Sequence, residues 1–203
     1  MKRSGEDNPD DIIGNIYLLK DESDIILKDA REFCTMLNAC GRMDKASIGI
    51  GASMGYSKMK KMALFCIEDY RKEIVSGLNK YYNKEFDMFE ENNLLIINAK
   101  NDVRATIIGT IASMISKLTN NNRYVLTVAR IDSSTSKASL RASGKIDVDL
   151  REILKDILKG TGDFGGHKNA AGAVFPLSFE KEFLERSKAL LSKLSLEEQV
   201  SYK

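Results

Sequence analysis

Residues 160–173 read Gly-Thr-Gly-Asp-Phe-Gly-Gly-His-Lys-Asn-Ala-Ala-Gly-Ala. The stretch holds five glycines and the chain's only histidine, His167, followed directly by Lys168 and Asn169. Glycine admits φ > 0 and lets another molecule approach the peptide units closely. Backbone N–H groups from Gly165 and Gly166, with His167 and Lys168 as side-chain donors, are the makings of a phosphate cradle. The same composition also suits a plain connector between a helix ending near Leu158 and the apolar run Ala173–Pro176. Two further places offer anion chemistry. Ser139 and Arg141 stand two apart in a predicted strand and so share one face. Asn38 and Arg42 lie near the end of a predicted helix, where Arg42 is either a phosphate contact or a solvated charge at the helix C-terminus.

What the chain lacks narrows the chemistry. One histidine and three cysteines (Cys34, Cys40, Cys66) without a CxxC pair supply no zinc set, and no cluster of metal ligands for two-metal hydrolysis is evident. No residue is therefore assigned as catalytic and no metal or cofactor is expected in this chain. Net charge is +2, so a nucleic-acid partner has to be held by a local basic patch. No run of about 18 apolar residues is present. The polar start carries no signal-peptide pattern, and the cysteines read as reduced, partly buried thiols of a cytoplasmic protein.

The elements that must position these residues follow from periodicity. Residues 1–11 are expected frayed. Ile12–Leu19 reads as a short strand. Leu27, Ala30, Phe33, Cys34 and Leu37 form a helical stripe that Gly41 stops. Small residues over Ala46–Gly55 predict a close-packed turn or short helix. Met59 to Ile74 follow helical spacing, and that helix runs past Gly77 towards Tyr82. Leu94–Asn98, Tyr124–Ile131, Lys137–Ser143 and Ala171–Phe175 read as strands. Helices are expected from about Ile108 to Leu118, from Asp149 to Leu158 and from Ser178 to Leu194. Asn120–Asn122 is a predicted turn. Gly109 costs its helix about 1 kcal/mol relative to alanine and marks close approach of a neighbouring backbone. The fold class is thus α/β (α+β): a four-stranded mixed sheet flanked by helices over residues 94–194, preceded by a mostly helical segment over 12–93 and followed by a loose tail over 195–203.

Gly165-Gly166-His167-Lys168-Asn169-Ala170-Ala171-Gly172 resembles the Gly-Gly-His-x-Asn-Ala-Ala-Gly signature of the DHH-associated domain, the C-terminal substrate-binding half of RecJ-like phosphoesterases. Thr106-Ile107-Ile108-Gly109-Thr110 is similar to that domain's first helix. Asp29-Ala30-Arg31-Glu32-Phe33, continued by Leu37-Asn38-Ala39-Cys40-Gly41-Arg42, resembles the segment ahead of it in archaeal RecJ-like proteins. The resemblance implies that Gly165, Gly166, His167, Lys168, Asn169, Ser139, Arg141, Asn38 and Arg42 contact the backbone of single-stranded DNA or RNA. It also implies a DHH catalytic domain, in cis or in trans, which would hold Mn²⁺ or Mg²⁺ through aspartates and histidines. No Asp-His-His occurs here, so the chain is either part of a longer enzyme or a natural binding half. Similar archaeal proteins associate with GINS and MCM at replication forks, and an interaction module for those partners is the alternative reading.

Overall fold

A computed structural model describes residues 14–118, 123–143 and 148–201. The chain divides into two units, Met1–Tyr70 and Arg71–Lys203, with the boundary inside one helix. The expected frayed start and the Asn120–Asn122 turn lie outside the described residues.

The first unit is helical. Helix α1 (Ala30–Arg42) is capped by the Asp29 carboxylate, which accepts the Arg31 N–H at 2.8 Å. Its buried face is Met36, Ala39 and Cys40, with Met43 beyond its end. This face is rotated from the expected stripe, and Cys34 is exposed. Gly41 does not stop the helix, which runs through Arg42 to a cap at Met43, followed by Asp44 at φ 58°. Helix α2 (Ala46–Ser53) packs closely because its glycines leave room. A Cβ on Gly49 would stand 3.1 Å from Cys40 Cβ, and one on Gly51 would stand 2.7 Å from Met59 Cγ. Helix α3 spans Ser57–Tyr82 and ends where the periodicity predicts. Residues 14–19 do not form the expected strand; a single bridge pairs Leu18 with Asp29.

The second unit is built on one sheet. Its strands are β1 (Asp87–Glu91), β2 (Leu94–Asn98), β3 (Arg123–Arg130), β4 (Thr135–Ser143), β5 (Asp163–His167) and β6 (Ala170–Pro176), in the order β1-β2-β3-β4-β6-β5. Only β2 and β3 are parallel. The crossover between them is helix α4 (Ile108–Leu118), as parallel neighbours require. The sheet thus has six strands and not four. Both missed strands are edges: β1 reads Asp-Met-Phe-Glu-Glu, and β5 is glycine-rich with every residue exposed.

Strand alternation divides the side chains between two layers. On one face Leu94, Ile96, Tyr124, Leu126, Leu140, Ala171 and Phe175 join helices α5 (Leu150–Leu158) and α6 (Glu180–Ser201) in the main core. Phe175 stacks on Phe183 at 4.2 Å between ring centres, with Phe179 edge-on. Asp149 caps α5, as its sequence predicts. Helix α6 follows a 3₁₀ turn at Leu177–Phe179 and continues to Ser201, where a loose tail is expected from Ser195. Ser195 is buried, and its Oγ accepts the Asn93 N–H at 3.2 Å, tying the helix to the β1–β2 turn. On the other face α4 lies over β3 and β4, with the Thr127 hydroxyl donating to the Ile108 carbonyl at 3.3 Å.

Candidate nucleic-acid interface

The glycine motif is a β-hairpin and not a loop between a helix and a strand. β5 and β6 pair antiparallel, with Gly165 opposite Gly172, Gly166 opposite Ala171 and His167 opposite Ala170, and Lys168–Asn169 make the turn. Gly162 and Gly166 sit at φ 111° and 131°, where L side chains rarely go. A Cβ on Gly166 would press into the Ala170 carbonyl oxygen and stand 2.8 Å from Ala171 Cα. The turn is latched from two sides. Leu150 N–H, at the start of α5, donates to the Lys168 carbonyl at 2.9 Å, and Ala142 N–H reaches the Asn169 carbonyl at 3.5 Å.

The second latch fixes which amides face outward. With Ala142 bonded to Asn169, antiparallel alternation places the Gly165 and His167 N–H groups in the ladder with β6. Those of Phe164 and Gly166 turn to the open edge of the sheet. Of the two motif glycines expected to offer amides, Gly166 therefore presents one and Gly165 does not.

Register brings distant residues together. Arg141, Ala170 and His167 form one row across β4, β6 and β5, and Ser139, Gly172 and Gly165 form the next row on the same face. This is the α4 side of the sheet, but α4 covers only its inner strands. Ser139 is buried rather than exposed, and Arg141 is half-buried. Gly109 explains how: a Cβ there would stand 3.0 Å from an Arg141 guanidinium nitrogen and 3.2 Å from Ser139 Oγ. The glycine admits two side chains from β4, not a neighbouring backbone. Arg141 Nε donates to Ser113 Oγ at 2.8 Å, and its Nη1 donates to the carbonyls of Leu140 (2.9 Å) and Ala171 (3.2 Å). The Ser113 hydroxyl donates in turn to the Gly109 carbonyl at 2.8 Å. Held in this way, the guanidinium borders an open hollow of about 420 Å³ lined by Ser113, Ser116, Lys117, Arg141, Asn169 and Ala170 among others.

His167, Lys168 and Asn169 are all exposed at the rim. Lys168 adds its charge beside Asp149. The Asp149 carboxyl is drawn down to about 2, chiefly by the Arg151 guanidinium and backbone N–H and also by Lys168. Asn38 and Arg42 stand one turn apart on α1 and belong to the first unit. The contribution of α4, with Ser113, Ser116 and Lys117, was not foreseen. Its signal is the spacing of three polar residues at i, i+3 and i+4 on a mostly apolar helix.

Among the described residues, no group of three or more histidine, cysteine, aspartate or glutamate side chains is placed to hold a metal ion. The described residues therefore do not fit a two-metal centre. No helix among them is long and apolar enough to cross a membrane.

Solved structures share the fold. RecJ from Thermus thermophilus in complex with Mn²⁺ superposes with a TM-score of 0.63 at 19% identity, covering 81% of this chain and 24% of that one. The same protein with Mg²⁺ gives 0.64 at 18% identity, covering 81% and 25%. Exonuclease RecJ bound to manganese gives 0.61 at 18% identity, covering 80% and 40%. The chain thus spans a quarter to two fifths of the length of these proteins. No curated protein matches the sequence. The DHHA1 domain family matches residues 91–193, which take in β2 to β6, α4, α5 and α6 up to residue 193, and the chain belongs to that family.

Proposed function

We propose that the protein binds the sugar–phosphate backbone of single-stranded DNA or RNA and positions the strand for a DHH catalytic domain supplied in cis or in trans. The observation that carries this reading is the row Arg141–Ala170–His167, which sets a guanidinium braced against α4 and an exposed imidazole along one face beside a donor-lined hollow. Such contacts hold a strand without reading its bases. Arg141, Lys117 and the Asn169 amide engage one phosphate, while His167, Lys168 and the Gly166 amide engage the next at the hairpin rim. Asn38 and Arg42 are phosphate contacts of the first unit by itself. In this reading the two metal ions that hydrolysis requires are held by that catalytic domain.

Fluorescence anisotropy of a labelled single-stranded oligonucleotide tests the reading. Contacts with two to three phosphates give a log–log salt slope of roughly −1.5 to −2. The pair His167→Ala and Lys117→Ala is expected to weaken binding at least about tenfold with the thermal midpoint unchanged. Binding that ignores both substitutions refutes the site.

A second reading is favoured by the first unit. Ile50, Met54, Tyr56 and Phe65 are 63%, 65%, 56% and 66% exposed, an unusual amount of apolar surface for a small helical body. It suits an interaction module for replication-fork proteins such as GINS and MCM. Pull-down with a GINS subunit discriminates between the two readings.

A further inference from the structure

Past Arg141 the α4 face of the sheet is open over β6 and β5, while α4 covers Ser139 on β4. Lys137, Val174 and Asp163 lie side by side across β4, β6 and β5, on the same face as Arg141 and His167. They border a second hollow of about 180 Å³, with Gly165 and Gly172 also in its lining. Ala170 and Val174 are four residues apart on β6, so the two rows are separated by about 13 Å. That is far longer than a phosphate. No side chain interrupts the path at Gly165, where nothing lies within 4 Å of the position a Cβ would take.

The two ends differ chemically. The Arg141 end is lined by cations, hydroxyls and an amide, and it selects an anion. At the far end an ammonium and a carboxylate flank Val174, whose side chain is 38% exposed. A carboxylate repels a second phosphate there. It accepts hydrogen bonds from hydroxyl or ring N–H groups, while the lysine donates to ring nitrogens or carbonyls. The valine and the glycine floor offer apolar surface for a flat ring. We propose that the Lys137–Asp163 end is a nucleoside subsite, which takes the sugar and base of the nucleotide whose phosphate sits at Arg141. The inference rests on the backbone-binding reading of the Arg141 end.

Amide chemical-shift mapping on the full chain, with inorganic phosphate and with adenosine 5′-monophosphate as probes, separates the two claims. Phosphate is expected to move the amides around Arg141 and Asn169 only, and the nucleotide to move those of Lys137, Gly165 and Val174 as well. Asp163→Asn and Lys137→Met are each expected to weaken the nucleotide about tenfold and leave phosphate unchanged. Gly165→Val, whose Cβ would meet nothing within 4 Å, is expected to block the nucleotide in a folded protein. If the nucleotide moves only the amides that phosphate moves, the nucleoside subsite is refuted and the phosphate end stands. If neither probe moves Arg141 or Asn169, both claims fall together.

Discussion

Gly165 and Gly166 are adjacent in β5 and answer to different demands. Gly166 is fixed by its backbone: at φ 131° an alanine is strained, and its Cβ would meet the Ala170 carbonyl and the Ala171 Cα. Gly165 lies outside the left-handed region, and a Cβ on it would meet nothing within 4 Å. Its lack of a side chain keeps the trough open and does nothing for the hairpin. Gly166→Ala is therefore expected to cost about 2–3 kcal/mol in urea unfolding. Gly165→Ala is expected to stay within about 0.5 kcal/mol of the parent. Equal losses at the two sites would mean that both glycines serve the backbone. Arg141 shows the same economy of placement. Its bonds to Ser113 and to two carbonyls fix the guanidinium before any ligand arrives, which lowers the ordering cost of binding.

At the scale of elements, α6 is anchored to the sheet by one buried carboxylate. Glu180, 6% exposed in the first turn of α6, accepts from Ser136 Oγ at 2.6 Å, from Asn98 Nδ2 at 3.3 Å and from Arg130 Nη2 at 3.3 Å. One residue thus ties the helix to β2, β3 and β4. Burial alone would raise its pKa, but the hydrogen bonds from Ser136, Arg130 and Asn98, with the Arg130 charge, outweigh burial and hold it below the ordinary 4.5. A depressed carboxylate contributes stability that is complete above its unfolded pKa and is lost as pH falls through the folded one. Glu180→Gln is expected to cost about 1–3 kcal/mol at pH 7. Below pH 4.5 the parent's advantage shrinks, and the two unfolding curves converge. A gap that stays constant into acid would show that the charge is not the anchor. This network was not legible in the sequence, because Asn98, Arg130, Ser136 and Glu180 come from four elements and meet only through register. The α4 and α5 stripes were legible from their helical period, β2, β3 and β6 from their apolar runs, and β4 as the hairpin partner of β3. β1 and β5 escaped because an edge strand need not bury alternate side chains, and two of the five residues in β5 have none. The site divides along the same line. His167, Lys168, Asn169 and the glycines stand in one contiguous motif, and Ser139 and Arg141 came through its resemblance, whereas Ser113, Ser116 and Lys117 required knowing which helix overlies β4.

At the scale of the whole molecule, the two units differ in what holds them. The second has a six-stranded sheet with a core of aromatic and branched side chains against two helices. The first is a small helical body that leaves large apolar side chains exposed, and a body with fewer buried contacts opens at lower free energy. All three cysteines lie in the first unit, which makes thiol chemistry its private reporter. Cys34 is exposed; Cys40 and Cys66 are buried, and burial with a neighbouring Cys66 pushes the Cys40 thiol up to about 11. A buried thiol with so little thiolate reacts only after its surroundings open. One thiol is therefore expected to react at once with a disulfide reagent in the native protein, and two only on opening. The opening free energy from the slow thiols is expected to lie about 2 kcal/mol below that from amide exchange in β3, one of the two central strands of the sheet. Coincident values would mean that the units unfold together, and the protein would then behave as a single cooperative domain. A lower value for the thiols would leave the sheet, and the trough on its open face, intact while the first unit rearranges around whatever covers its apolar side chains.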